Sequence, residues 1–263
     1  MLAIMKANYH SHTTRCRHAR GTERELVEKA IENGFLIWGF SDHTPYPFPG
    51  EYYSTFRMYV NEFDSYANTI LDLKKEYADD IEIHLGLEAE YYPAYFDKLL
   101  ELVKDYPLEY LIMGQHFVGN EPNGFYSGAG HEDIAVIRAY ADQVIEGMQT
   151  GRFSCLAHPE LISYKGKDRK AYEEQIRRIC RCAKETDVLL EVNFLGLFEK
   201  RHYPREEFWK IAGEEGCRAI FGIDAHDPDA VDWPKIVYQP ACDMLARNHV
   251  ELVETMPFKA VHP

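Results

Sequence analysis

The chain has 263 residues, 46% of them hydrophobic, with a formal net charge of −14. That length suits one large domain with a sizeable core, residues 1–263, and the acidic balance argues against nucleic acid and anionic membranes as partners. The six cysteines form no C-x-x-C pair, and no apolar run approaches the roughly 18 residues of a membrane span. The N-terminus also lacks the apolar segment of a secretory signal. The expectation is a soluble, cytoplasmic protein without disulfides, monomeric or a small homo-oligomer.

Residues 2–9 read as a strand running into Tyr9-His10-Ser11-His12. Alternation along an extended strand puts His10 and His12 on one side, where two imidazoles can chelate one metal ion. Thr22-Glu23-Arg24-Glu25 is a capping box. It opens a helix carrying Leu26, Ala30 and Ile31 that stops at Asn33-Gly34. Residues 35–41 are an apolar strand leading into Asp42-His43, and the prolines of 44–50 force a loop. A helix is expected over 57–77, then a strand over 81–90 carrying Glu88, a helix over 94–104, and a strand over 109–115 that delivers His116. The Gly-, Asn- and Pro-rich stretch 117–130 reads as a long loop of the kind that often serves as a lid. A helix over 132–149, a strand over 153–157 leading to His158, and a helix over 169–186 follow. Then come a strand over 187–194 with Glu191-Val192-Asn193, a loop, a helix over 205–215, a strand over 218–223 leading to Asp224-Ala225-His226, and a last helix over 234–247.

This alternation predicts parallel strands joined by crossover helices: an α/β barrel, with seven strands rather than eight, or an open doubly wound sheet. No G-x-G-x-x-G or P-loop pattern supports nucleotide binding, and no cofactor-binding residues are assigned. Metal-ligand residue types stand at the C-terminal end of nearly every strand, the rim where barrels assemble active sites. Twelve histidines placed at random would rarely do this. His84, His131, His202, His249 and His262 have no such placement and read as ordinary surface or packing residues.

The set His10-x-His12, His18, Ser41-Asp42-His43, Gly86-Leu87-Glu88, Gln115-His116, Ala157-His158-Pro159 and Asp224-Ala225-His226 resembles the polymerase-and-histidinol-phosphatase (PHP) superfamily. The match spans residues 10 to 226. Cys16-Arg17-His18-Ala19, Glu191-Val192-Asn193 and Arg201-His202-Tyr203-Pro204 resemble its histidinol-phosphate phosphatase branch. The resemblance implies a distorted (β/α)7 TIM-like barrel with three divalent metal ions at the C-terminal ends of the strands. By the same resemblance, the first ion takes His10, His12, Glu88 and Asp224. The second takes the bridging Glu88, His116 and His158. The third takes His18, His43 and His226. Imidazoles with two carboxylates favour zinc, manganese or iron over magnesium or calcium.

The implied reaction is hydrolysis of a phosphate monoester, L-histidinol phosphate, by a hydroxide held between metals. The leaving alkoxide needs a proton, and Asp42 is the first candidate for the acid; the alternative is that Asp42 orients a ligand histidine. Among the rim cations Arg15, Arg17, Lys165, Lys167, Lys200 and Arg201, the favoured phosphate clamps are Arg201 and Arg17, and Asn193 is a candidate donor into the pocket. The loop residues Tyr46, Phe48, Tyr52 and Tyr53 could cover the substrate, and Glu160, Glu90 and Tyr92 could seat its imidazole and ammonium groups. Alternatives on the same scaffold are another phosphoester (a nucleotide, a nucleoside bisphosphate or phosphotyrosine) and an amidohydrolase-type C–N hydrolase. A metal-binding domain without catalysis is the remaining reading.

Overall fold

The strand segments read as apolar runs because they are buried on both faces, as parallel strands beneath crossover helices must be. A computed structural model of the chain describes residues 5–262. Eight strands form one parallel sheet in chain order: β1 (Ala7–Asn8), β2 (Ile37–Phe40), β3 (Glu82–Ala89), β4 (Tyr110–Met113), β5 (Phe153–Leu156), β6 (Leu189–Asn193), β7 (Arg218–Gly222) and β8 (Glu251–Leu252). The helices are α1 (Glu23–Glu32), α2 (Phe63–Glu76), α3 (Phe96–Val103), α4 (Ile134–Gln149), α5 (Arg169–Thr186), α6 (Phe194–Phe198), α7 (Glu206–Glu214) and α8 (Pro234–Arg247).

The sheet curls until its first and seventh strands meet beyond their ends. Ser11 and Ala225 form a parallel bridge. His12 N donates to Ala225 O at 2.9 Å, and Ala225 N donates to His10 O at 3.2 Å. The ring is thus seven strands around at the C-terminal rim, the distorted barrel expected. At the opposite end β8 adds an eighth strand beside β7, which the sequence reading did not anticipate because two paired residues carry no periodicity.

Tyr110 fills the middle of the barrel. Its hydroxyl donates to Tyr9 O at 2.8 Å and Phe40 O at 3.0 Å. Ala7, Ile112, Cys155, Leu189, Ile220 and Met256 pack in the same interior cluster. Phe258 from the C-terminal tail stacks on Tyr110 with ring centroids 5.0 Å apart. The larger core lies between sheet and helices, where Leu26, Val27 and Ala30 of α1 and Tyr66, Ala67 and Ile70 of α2 are buried.

Several expected boundaries moved. Of the strand read over 2–9, only Ala7–Asn8 is paired, and Leu2, Ala3 and Ile4 lie outside the described residues. The helix expected from 57 starts at Phe63 behind a 3-10 turn at Val60–Glu62, because Arg57 and Met58 are drawn into the interior on non-helical backbone. The stretch 117–130 is not structureless: Phe117–Val118 pairs with Phe125–Tyr126 as a short hairpin, and Gln143 of α4 brackets Gly119 with hydrogen bonds to its N and O. The loop after β6 begins with the one-turn α6, capped by the Asn193 side chain on Gly196 N at 2.9 Å. The capping box at Thr22 and Glu25 forms as read. The cysteines are free, and among the described residues no helix is long and apolar enough to cross a membrane.

Candidate metal centre

The ends of six strands bring imidazoles and carboxylates together, and Glu88 sits among them at 1% exposure. Glu88 Oε2 lies 3.6 Å from His10 Nε2, 3.6 Å from His12 Nε2 and 3.0 Å from His43 Nδ1. Its other oxygen lies 2.8 Å from His158 Nε2 and 3.6 Å from His116 Nε2. Asp224 Oδ1 stands 3.4 Å from His10 Nε2, 3.1 Å from His12 Nε2 and 3.4 Å from His226 Nδ1. On the outer side His226 Nε2 faces His18 Nε2 at 2.9 Å, and these two with His43 form a third cluster of donors. The ligand set read from the sequence is therefore brought together residue by residue.

The donor chemistry fits cations. His10 Nε2, His12 Nε2, His43 Nδ1 and Glu88 Oε2 are buried without a hydrogen-bond partner. A buried polar atom left unpaired costs about 1–3 kcal/mol, so native proteins rarely leave several aimed at one another unless something sits between them. His10, His12 and Asp224, then His10, Glu88 and His158, then His18, His43 and His226 each bring their ligand atoms within 4.8 Å of one another. Buried Cys16 also comes within that reach of His12 and His226, an approach across the loop that no strand alternation foretells.

Charge on these groups follows from the same crowding. Burial opposes protonation of His10, but Glu191, Asp224 and Glu88 outweigh it and hold the imidazole well above its usual range. His12 is likewise opposed by burial yet pushed up to about 9 by Asp224, Asp42 and Glu88. Burial, helped by His12, depresses His43 and takes His226 down to about 3. Glu88 and Asp224 stay below the usual carboxylate range because the surrounding imidazoles overcome their burial.

A layer of polar side chains holds these groups in place. Glu191 Oε1 accepts from His10 Nδ1 at 2.7 Å, and its Oε2 accepts from His158 N and Asn193 Nδ2, both at 2.9 Å. Asn193 Nδ2 also reaches Asp224 Oδ2 at 3.1 Å. A Cβ on Gly222 would lie 1.8 Å from Glu191 Oε1, so the strand beside it must carry glycine there. His158 and Asp224 have φ of +30° and +58°. Non-glycine residues rarely adopt such backbone, and here it turns each ligand from its strand end into the site.

The candidate catalytic residues fare differently. Asp42 is fully buried and does not line the cavity. Its carboxylate accepts from the Thr13 hydroxyl, from Thr13 N at 3.2 Å, from His43 N at 2.8 Å, and faces His12 Nδ1 at 3.4 Å. It faces His12 from behind the cavity, the position of the alternative reading in which it orients a histidine. Asn193 is turned into the Glu191–Asp224 layer and gives nothing to the pocket. Arg17 is held by Glu62 and lies 4.3 Å over the Tyr59 ring, away from the cavity. Arg201 does line the cavity, donating to Tyr203 Oη at 3.1 Å and pairing with Glu199. Sequence reasoning missed Arg20. This residue lines the cavity beside His18 and His226, is placed by its N donating to His226 O at 2.7 Å, and has no carboxylate partner among the described residues. Its position two residues past His18 was the available signal, but Arg15 and Arg17 share that neighbourhood. Arg15 in fact pairs with Glu23.

The cavity above the ligands measures about 540 Å³. Phe56, Phe117, Tyr126 and Trp233 give it aromatic walls, and Glu199 and Asp227 add acidic ones. Tyr46, Phe48, Tyr52 and Tyr53 do not cover it: Tyr46 and Phe48 pack over Arg57. Glu90 and Tyr92 are buried behind the wall, with Glu90 bonded to His116 and Arg57, and Glu160 accepts from Arg205 N. His84 pairs with Glu109, and His202 bonds Leu161 O, as expected of residues outside the site.

A parallel barrel gathers imidazoles and carboxylates at the floor of one cavity, an arrangement able to hold metal ions and present them to a small molecule. Residues 8–194 match the PHP domain, and the chain belongs to that family. A Schizosaccharomyces pombe protein named "Probable histidinol-phosphatase" is 27% identical over 252 residues, 86% of this chain and 82% of that protein. A protein of the same name from Deinococcus radiodurans is 27% identical over 230 residues, covering 84% and 86% of the two chains. Among solved structures, histidinol phosphate phosphatase from Lactococcus lactis, complexed with zinc, L-histidinol and phosphate, superposes with a TM-score of 0.68 at 17% identity, over 96% of this chain and 98% of its own.

Proposed function

We propose that this chain is a metal-dependent phosphomonoesterase that hydrolyses L-histidinol phosphate to L-histidinol and phosphate. The observation that carries the reaction class is the convergence of Glu88 and Asp224 with the imidazoles at the floor of a cavity whose wall holds Arg20 and Arg201. The substrate is supported by the two relatives matched over more than four fifths of their length and by the ligands of the Lactococcus enzyme.

Three ions are proposed: one on His10, His12, Glu88 and Asp224, a second sharing Glu88 with His116 and His158, a third on His18, His43 and His226. Ions of this kind neutralise the charge of a phosphate dianion and make water acidic enough to serve as a nucleophile near neutral pH. The chain's own residues do the rest. Glu191, Asn193 and Asp42 hold the ligands in register, and the guanidinium of Arg20, without a carboxylate partner among the described residues, binds phosphate oxygens. Arg201, braced by Glu199 and Tyr203, adds a second, partly neutralised cation. The walls suit the other half of the substrate. Asp227 and Glu199 attract an ammonium, and Phe56, Phe117 and Tyr126 offer faces on which an imidazole stacks. A nucleotide would bring a larger, more anionic body against those carboxylates.

The test is phosphate release from L-histidinol phosphate, p-nitrophenyl phosphate and a set of nucleotides by protein of measured metal content. The expected result is a kcat/KM for L-histidinol phosphate far above the others. Better turnover of another phosphoester would overturn the substrate, and turnover of none by metal-replete protein would overturn the reaction class.

A further inference from the structure

His116 is the most exposed of the imidazoles facing Glu88, with 13% of its side chain accessible. What holds it is a chain of groups behind the cavity wall. Glu90 Oε1 accepts from His116 Nδ1 at 2.9 Å, which leaves the Nε2 lone pair turned toward Glu88. Glu90 is in turn gripped by Arg57, with Nη2 on Oε1 at 2.8 Å and Nη1 on Oε2 at 3.1 Å.

Arg57 is 2% exposed and does not line the cavity, yet every N–H it owns has an acceptor. Nη1 also donates to Thr44 O at 3.1 Å, the carbonyl next to His43. Nε donates to Glu121 Oε2 at 2.9 Å, and Nη2 shares that oxygen. Glu121 sits in the turn of the 117–126 hairpin, which places Phe117 and Tyr126 on the cavity wall, and Tyr52 Oη donates to its other oxygen at 2.9 Å. Phe56 lies against the guanidinium plane, 4.4 Å from its carbon.

We propose that Arg57 is a positioning residue for both halves of the site: through Glu90 it sets the ring of His116, and through Glu121 it holds the hairpin that forms the substrate wall. The proposal rests on the metal-dependent reading given above. A planar fork is required, because one group must reach two carboxylates and a carbonyl in fixed directions. A lysine ammonium has three donors at a point and no plane. Without Arg57, Glu90 and Glu121 are two buried carboxylates with no cation between them, and Glu90 loses the two donors that hold it toward His116.

The experiment compares Arg57→Met, Arg57→Lys, Glu90→Gln and Glu121→Gln with the unaltered protein. Zinc retention is measured by elemental analysis after dialysis against graded chelator, and folding is checked by circular dichroism. Arg57→Met and Glu90→Gln are expected to weaken retention of the most weakly held zinc about 10–100-fold, the range typical for groups that orient metal ligands. Their combination should do no worse than either alone, because both act through His116. Arg57→Lys should restore little. Glu121→Gln should leave zinc retention unchanged while raising KM for the phosphoester and speeding hydrogen exchange of amides 117–126. Unchanged zinc retention in a folded Arg57→Met or Arg57→Lys protein overturns the proposal, as does a fully additive double variant. If Arg57→Met fails to fold, Arg57→Lys and Glu90→Gln decide the matter by the same readout. Zinc retention needs no substrate, so an inactive parent protein would sink the proposed reaction and leave this inference standing or falling on its own.

Discussion

Gly114 makes the room that Glu88 occupies: a Cβ at residue 114 would lie 1.8 Å from Glu88 Oε1. The carboxylate that faces the most ligands is therefore seated against bare backbone of the neighbouring strand end. Gly114→Ala is expected to push Glu88 off its position, with an overpacking cost of about 1–3 kcal/mol and weakened metal retention. Urea denaturation together with metal analysis checks this. A variant as stable and as metal-rich as the parent would mean that Glu88 has slack which the structure does not show.

Metal binding should release protons at neutral pH. His12 is held at about 9 and His10 well above its usual range by Glu191, Asp224 and Glu88, so both are protonated when no metal is bound, and a cation must displace those protons. Calorimetric titration with zinc in buffers of different ionisation enthalpy is expected to show net proton release at pH 7.

The same shift predicts how stability of the chelated protein varies with pH. A histidine whose folded pKa exceeds its unfolded value of about 6.5 stabilises fully below that pH and loses the contribution as pH rises through the folded value. For His12 that window runs from about 6.5 to about 9. The depressed carboxylates Glu88 and Asp224 contribute above their unfolded values and are constant across it. His43 and His226, depressed by burial, add stability as pH rises through about 6.5 and oppose the loss there, so the Tm of chelated protein should fall over the upper part of the window, toward pH 9, and that of metal-loaded protein should fall less. A chelated Tm that rises over this range would contradict the charge assignment.

Asp42 and Arg20 separate orientation from contact. Because Asp42 meets Thr13, His43 and His12 and never the cavity, Asp42→Asn should weaken metal retention about 10–100-fold while both limbs of the pH–rate profile keep their midpoints. Loss of the alkaline limb would instead restore Asp42 as the acid.

Arg20→Ala should raise KM for a phosphomonoester about 10- to 100-fold, the equivalent of losing a charge-assisted hydrogen bond worth roughly 1.5–3 kcal/mol. Arg17→Ala, which removes a cation already committed to Glu62 and Tyr59, should stay within about twofold. Steady-state kinetics on both variants decides between them.

The sequence by itself determined the rhythm of the barrel and the ring of imidazoles and carboxylates at its rim. Helices α5 and α8 begin and end where the sequence reading placed them, over 169–186 and 234–247, because the signals that bound a helix act within a few residues. The clustered histidines other than His18 were legible because each follows a buried strand, and parallel strands in chain order bring their ends to one rim. Tertiary structure alone decided which carboxylate touches what. Asp42 and Glu88 both stand at strand ends, yet one turns back to Thr13 while the other turns in. Arg17 and Arg20 lie three residues apart on one turn, and a left-handed φ of 75° at Arg17, together with Glu62 waiting across the loop, sends the first away. Arg57 lay in what read as helix, and only the approach of Glu90 and Glu121 from distant stretches of chain draws it inside. Local patterns fix the elements because their forces are short-ranged along the chain. The pairing of charges is a contest among groups brought together only by folding, and the geometry of that meeting decides it.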